Sequence, residues 1–187
     1  TCDLLISEGG TLSVIGFGMS EENTALILNH PLVMLCSDGR ALAPYGILSE
    51  NVPHPRNYGA FPRFLKVYVR EKKLMSLPQA IKKMTSMPAE RMGLKKRGRI
   101  KKGNYADLVV FDHSKMEDKA TYIQPKQYPE GIDYVIVNGQ VVVEKGTHTG
   151  ALPGKTLHGP GKNFHTAMTE QYTNSIAHSV SFFSYMP

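Results

Sequence analysis

The sequence predicts an α/β fold in which strands and a helix alternate first and short β-strands follow. Residues 11–17 and 32–36 are apolar runs, and a helix beginning after Ser20 separates them. Strand, helix and strand in this order are typical of a parallel sheet. Beyond residue 94 the pattern changes to short strands and tight turns. We therefore place a domain boundary near residue 94.

The first helix has clear start and stop signals. Ser20 is a favoured N-cap residue, Glu21 and Glu22 follow in the first turn, and Pro31 ends the helix. We expect its buried face to contain Ala25, Leu26 and Leu28. The run from 32 to 36, Leu-Val-Met-Leu-Cys, is almost continuously apolar and favours a parallel strand that is covered on both faces.

Further helices are predicted before the boundary. Residues 57–73 carry apolar side chains at helical spacing. Ser76 and Gln79 have the spacing of a capping box, so a second helix begins there. A short helix follows from Pro88, and Gly93 can end it in the left-handed conformation.

Strand signals dominate after the boundary. Residues 99–112 end in an apolar strand, and Asn138-Gly139 lies between two β-branched runs. Asn-Gly suits the type I′ turn of a β-hairpin. Residues 161–187 lose this pattern, and we expect a poorly ordered tail.

Composition limits the function classes. No apolar run reaches the roughly 18 residues of a membrane span, and no signal peptide is visible, so we expect no membrane partner. Two cysteines and no disulfide framework favour a cytoplasmic protein. The net charge of +6 is concentrated in a basic cluster at 95–102. This cluster indicates either a nucleic-acid surface or a solvated loop, and we expect the loop because no aromatic side chains are interleaved.

Asp38 is the strongest candidate for chemistry, because it follows the predicted buried strand and begins the long loop 37–56. A carboxylate there could bind a metal or transfer a proton. Alternatively, Ser-Asp-Gly is only a turn in which Asp38 caps backbone amides. In the same loop, Arg56 could bind a carboxylate through two hydrogen bonds. His54 could bind metal or carry protons, or be an ordinary loop residue.

A complete metal site is not visible in the sequence. A catalytic zinc ion takes about three protein ligands and a water molecule. The seven histidines form neither a His-x-His nor a His-x-x-x-His pair. A nucleophile elbow and phosphate-binding glycine motifs are absent as well.

Two narrow motifs, His-Pro-Arg-Asn-Tyr-Gly at 54–59 and Gln-Tyr-Pro-Glu-Gly-Ile at 127–132, resemble those of N-acyl-D-amino-acid deacylases. Two others, Ala-Asp-Leu-Val-Val-Phe-Asp at 106–112 and Val-Asn-Gly at 137–139, are shared by many amidohydrolases. The resemblance covers about residues 3–160, and the tail has no counterpart.

This resemblance implies a fold and a reaction. The family has a zinc-bearing (β/α)₈ barrel and a small β-sandwich built from both chain ends. Residues 1–93 would be the C-terminal part of the barrel, 94–160 the C-terminal share of the sandwich, and 161–187 an unmatched tail. The enzyme cleaves the amide bond of an N-acyl-D-amino acid. We expect its zinc-binding histidines upstream of this chain, and hence no zinc-dependent hydrolysis by these 187 residues alone.

The resemblance also implies residue roles. Asp38 matches the family's catalytic aspartate, which activates the metal-bound water, can bind metal, and then protonates the leaving amine. Met19 matches a position lining the substrate side-chain pocket. His54 and Arg56 fall in the active-site loop and are candidates for substrate binding. Cys36 lies inside the predicted strand and is not the family's metal-bridging ligand.

Two alternatives remain open at this point. The chain could be a non-catalytic module that docks on a partner supplying the rest of the barrel. It could also be part of a different amidohydrolase, similar to a hydantoinase or a dihydroorotase.

Overall fold

The structure is a computed structural model, and it describes residues 2–10, 16–50 and 52–158. Helices occupy the first part and a small antiparallel sheet the second. The helical elements are α1 (Cys2–Ser7), α2 (Glu21–Asn29), a 3₁₀ helix (Gly46–Ser49), α3 (Arg56–Arg63), a π-helix (Phe64–Glu71), α4 (Leu77–Met84) and α5 (Ser86–Arg91). The strands are β1 (Leu108–Phe111), β2 (Ile132–Val137), β3 (Gln140–Glu144) and β4 (Thr147–His148). The prediction of a mixed α and β fold is confirmed.

Helix starts lie where the capping residues predict them. The hydroxyl of Ser20 accepts the backbone N–H of Asn23 at 3.1 Å and caps α2. The backbone N–H of Ser76 donates to the side-chain oxygen of Gln79 at 3.0 Å, as a capping box requires. The buried face predicted for α2 is only partly right, because Leu26 is 73% exposed.

The predicted β-hairpin is also confirmed. Asn138 and Gly139 have φ angles of +48° and +82°, and Val137 pairs with Gln140 across the turn. Strands β1 to β4 lie side by side in chain order, each antiparallel to the next. The strand predicted at the end of residues 99–112 is present as β1.

The strand predicted over 32–36 is not formed in this structure, and the parallel sheet inferred from it stays a prediction because most of its other strand, 11–17, lies outside the described residues. A strand needs a ladder partner, and the backbone N–H of Leu35 instead donates to the carbonyl of Lys83 in α4, at 3.3 Å. Within the described residues, every pairing between named strands is antiparallel. The strand predicted over 11–17 lies mostly outside the described residues, as does the tail 161–187.

The helix predicted over 57–73 is present but changes its winding. It begins as α3 and continues as the π-helix, in which the N–H of Lys72 reaches the carbonyl of Val67, five residues back. This element carries most of the hydrophobic core, which joins the helices to the segment after β1. The core consists of Phe64, Leu65, Tyr68, Val69, Ala80 and Met116.

The basic cluster at 95–102 is not uniformly solvated. The guanidinium of Arg97 binds the Asp107 carboxylate, donates to the side-chain oxygen of Asn138 at 2.6 Å, and lies 4.3 Å from the ring centre of Tyr105. Its side chain is only 13% exposed. Arg97 therefore fastens the loop before β1 to the hairpin turn.

Candidate active site

Asp38 and Arg56 are brought together at the surface of the described structure. One terminal nitrogen of Arg56 lies 2.7 Å from the Asp38 carboxylate, and its Nε–H donates to the backbone carbonyl of Asp38 at 3.1 Å. The guanidinium thus contacts both the side chain and the main chain of the aspartate. The Asp38 side chain is nevertheless 82% exposed. A ligand can therefore reach the carboxylate while the arginine holds its backbone.

The loop around Asp38 is a tight turn. Asp38 has φ +48°, in the left-handed region that aspartate tolerates better than most residues. Its backbone N–H points to the sulfur of Cys36 at 3.4 Å, and the N–H of Gly39 donates to the Ser37 hydroxyl at 3.2 Å. The turn predicted as the alternative role of Ser-Asp-Gly is thus present, but the Asp38 carboxylate lies against Arg56.

α3 positions the other side of this pair. Arg56 is the first residue of α3, and the next residue, Asn57, accepts the backbone N–H of Arg40 through its side-chain oxygen at 3.3 Å. Arg56 and Asn57, the first two residues of α3, therefore bind the residues on either side of Gly39. Sequence reasoning missed Asn57, because its contact joins residues that are 17 positions apart.

His54 lies directly before this helix start, with its ring half-buried. Its Nδ1 accepts the backbone N–H of Arg56 at 3.0 Å, which places the ring proton of the neutral form on Nε2. Burial lowers the pKa of His54, and the positive charge of Arg56 lowers it further. A lowered pKa favours the neutral ring, in which the Nε2–H can donate a hydrogen bond to a ligand.

An aromatic contact connects this region to the second half of the chain. The ring of Tyr122 lies 5.2 Å from that of His54 and 5.0 Å from that of Phe17, edge to face in both cases. Tyr122 sits in the turn that the Thr121 hydroxyl caps at Gln124. Sequence reasoning missed Tyr122, since no local motif marks it.

Met19 is not drawn into the Asp38–Arg56 pair. It lies in the loop before α2 and is 80% exposed. Phe17, two residues earlier, packs on Tyr122 instead. The structure therefore leaves Met19 at the surface.

The described residues do not form a zinc site by themselves. Across residues 2–10, 16–50 and 52–158, no group of three or more His, Cys, Asp and Glu side chains is placed to hold a metal ion. About three protein ligands are required for a catalytic zinc. In that same part of the chain, no helix has both the length and the apolarity that a bilayer span requires.

Comparison with known proteins identifies the class. Residues 8–143 match the model of the amidohydrolase family, and the chain belongs to that family. It is 42% identical over 144 residues to an N-acyl-D-aspartate deacylase of Alcaligenes xylosoxydans xylosoxydans, and 39% identical over 143 residues to a D-aminoacylase of that organism. These alignments each cover 76% of this chain, but 27% and 28% of the relatives. The resemblance predicted from the motifs is confirmed.

A solved structure agrees with these relatives. The N-acyl-D-glutamate deacylase of Bordetella bronchiseptica, solved with zinc and a phosphonate mimic of the tetrahedral intermediate, superposes with a TM-score of 0.60 at 42% identity. The match covers 66% of this chain and 25% of that structure. The chain thus has the fold of one part of an amidohydrolase and spans about a quarter of the length of the relatives it matches.

Proposed function

We propose that the whole enzyme to which this chain corresponds is a zinc-dependent deacylase of N-acyl-D-amino acids. It would hydrolyse the amide C–N bond and release a carboxylate and a free D-amino acid. The observation that carries the proposal is the Asp38–Arg56 pair, in which Arg56 belongs to the narrow motif at 54–59 that resembles those of deacylases. The zinc of the Bordetella relative suggests the same cofactor here, with its remaining ligands outside the described residues.

Asp38 is proposed as the proton carrier of this reaction. Its exposed carboxylate would accept a proton from the water molecule that attacks the amide carbonyl. It would then return that proton to the amide nitrogen as the C–N bond breaks, so that the amine leaves in a neutral form. Asp38 is also a candidate metal ligand through its second oxygen.

Arg56 is proposed to bind the substrate carboxylate. An N-acyl-D-amino acid carries one free carboxylate, which is the partner that a guanidinium fork binds best. The Arg56 side chain is 45% exposed, so a ligand can reach it while it keeps its contact with the Asp38 carbonyl. We further propose that Met19 lines the substrate side-chain pocket and that His54 contributes its Nε2–H to substrate binding.

The domain arrangement is proposed on the same grounds. Residues 1–93 would belong to the metal-dependent hydrolase barrel and 94–160 to a β-sandwich. In the part of the chain that the structure describes, the helices precede residue 94 and the named strands follow it, which supports this division.

A chimera tests the proposed function directly. In it, the aligned 144-residue stretch of this chain replaces its counterpart in the Alcaligenes N-acyl-D-aspartate deacylase. The proposal predicts zinc-dependent release of D-amino acid from N-acetyl-D-aspartate, N-acetyl-D-glutamate or N-acetyl-D-methionine. A folded, zinc-loaded chimera that hydrolyses none of these substrates would overturn it.

A second candidate role is docking on a separate chain that supplies the rest of the barrel. The observation that favours it is an apolar cavity of about 500 Å³ between α3, α4 and β1, in which Ile100 is 92% exposed. Co-purification with a protein carrying a His-x-His motif would support this role, and a stable monomer at micromolar concentration would contradict it.

A further inference from the structure

We propose that Lys83 is a positioning residue, which fixes the segment 30–35 and thereby the Asp38–Arg56 pair. Lys83 lies in α4 and is only 7% exposed. Its ammonium group donates to the backbone carbonyls of His30 and, at 2.8 Å, Val33. Lysine side chains are almost never buried to this extent unless they are paired, and here the partners are backbone carbonyls.

The main chain of Lys83 adds a third bond to the same segment. Its carbonyl accepts the backbone N–H of Leu35 at 3.3 Å. One residue of α4 therefore holds segment 30–35 at three points along its length. Because this segment has no strand partner among the described residues, these bonds take the place of the ladder that a sheet would provide.

The Lys83 ammonium group has no counter-ion among the acidic side chains of the described residues, since each ion pair there involves another cation. Burial lowers the pKa of Lys83, which shows that desolvation opposes its charge. The hydrogen bonds to the two carbonyl oxygens compensate the desolvation cost of the ammonium group. Removing the ammonium group would leave both carbonyls without their donor.

Segment 30–35 leads directly into Asp38. Three residues after Leu35, the Asp38 carboxylate and carbonyl meet Arg56, and the N–H of Arg40 meets Asn57. The turn is thus anchored on both sides, by α4 upstream through Lys83 and by α3 downstream. We infer that the position of the Asp38 carboxylate relative to Arg56 depends on both anchors.

Amide hydrogen exchange and ¹⁵N NMR on the 187-residue chain test this inference. The variants are Lys83→Met, Lys83→Arg and, as a matched control, Lys82→Met, because Lys82 is the exposed neighbour in α4. We expect Lys83→Met to accelerate exchange of the Arg40 N–H and the Arg56 Nε–H roughly tenfold or more. Exchange of the Ala80 N–H, which reports on α4 itself, should stay within a factor of about two.

The other variants show whether the effect depends on the hydrogen-bond donors at position 83. Lys83→Arg retains donors and should restore most of the protection, and Lys82→Met should change nothing. If Lys83→Met fails to fold, Lys83→Gln, which keeps one donor group, should show a smaller but selective loss at Arg40 and Arg56. Unchanged exchange at these two sites, or equal acceleration at Ala80, would overturn the proposal.

The catalytic consequence rests on the proposed function and is read separately in the chimera. Lys83→Met should lower kcat and leave KM nearly unchanged, because it displaces the proton carrier rather than the substrate carboxylate site. An inactive unsubstituted chimera would contradict the proposed function, while the exchange data would still decide the role of Lys83.

Discussion

Arg56 holds Asp38 by its carboxylate and its backbone carbonyl at the same time. The two residues are 18 positions apart, and the contact places a cation beside an exposed carboxylate. If Arg56 also binds the substrate, it orients the proton carrier and the substrate carboxylate from one guanidinium group. This arrangement makes separable predictions for the two residues.

Replacing Arg56 tests its proposed role in substrate binding. In the chimera, Arg56→Met should raise KM for N-acetyl-D-aspartate by roughly tenfold to a hundredfold, as expected for a lost charge-assisted hydrogen-bond pair. Arg56→Lys should recover only part of this loss, since an ammonium group lacks the planar fork. Arg99→Met is the matched control, because Arg99 is an exposed arginine paired with Glu90. An unchanged KM in Arg56→Met would rule out substrate binding by this residue.

The Lys66–Glu117 ion pair should make stability depend on pH. It joins the π-helix to the segment after β1. The hydrogen bond from Lys66 lowers the pKa of Glu117 below 4.5, and the same bond raises the pKa of Lys66 above 10.5. Glu117 therefore stabilises the fold above about pH 4.5, an effect lost as pH falls through its folded pKa. Lys66 stabilises it below about pH 10.5, an effect lost as pH rises through its folded pKa.

Urea unfolding of Glu117→Gln measures this contribution. The substitution should cost about 1 kcal/mol or less near pH 7, because both side chains are partly exposed. The difference from the unsubstituted chain should shrink as pH falls below 4.5. Glu90→Gln, which removes a more exposed pair with Arg99, is the control and should cost less. A pH-independent difference would mean that Glu117 acts through packing alone.

Substitutions at two glycines allow the stability cost of backbone strain to be measured apart from that of steric overlap. Gly131 and Gly139 have nearly the same φ, +88° and +82°. A Cβ at Gly139 would meet open space, whereas one at Gly131 would lie 2.8 Å from backbone atoms of Lys115 and Met116. Gly139→Ala should cost about 1 kcal/mol through strain. Gly131→Ala should cost about 1–3 kcal/mol more, because the core residue Met116 must shift. Equal losses in the free energy of unfolding, measured with urea, would show that the backbone of Lys115 and Met116 shifts at little cost.

Features set by neighbouring residues could be predicted from the sequence. The Ser20 cap, the Ser76–Gln79 capping box and the Asn138-Gly139 turn each depend on four or fewer consecutive positions. Their stabilising contacts are made within the same turn of chain, so sequence spacing is enough to find them. The family resemblance rested on similarly short motifs.

Features that depend on distant partners could not be predicted. Residues 32–36 have the composition of a buried strand, but strand pairing needs a second strand, and here Lys83 binds the segment instead. The sequence marks both Asp38 and Arg56 as candidates, but no local pattern predicts the contact between them. Asn57, Lys83 and Tyr122 act across 17 or more positions, and no local pattern marks such contacts.

Asp38→Asn in the chimera tests whether the Asp38 carboxylate carries the proton in amide hydrolysis. Asparagine has the same shape and tolerates φ +48°, so the substitution removes the proton-accepting carboxylate with little strain. Asp133→Asn, at an exposed position in β2, is the matched control. We expect Asp38→Asn to lower kcat for N-acetyl-D-aspartate by roughly 10²- to 10⁴-fold and Asp133→Asn to leave it unchanged. A kcat in Asp38→Asn equal to that of the control would contradict the assignment of Asp38 as the proton carrier.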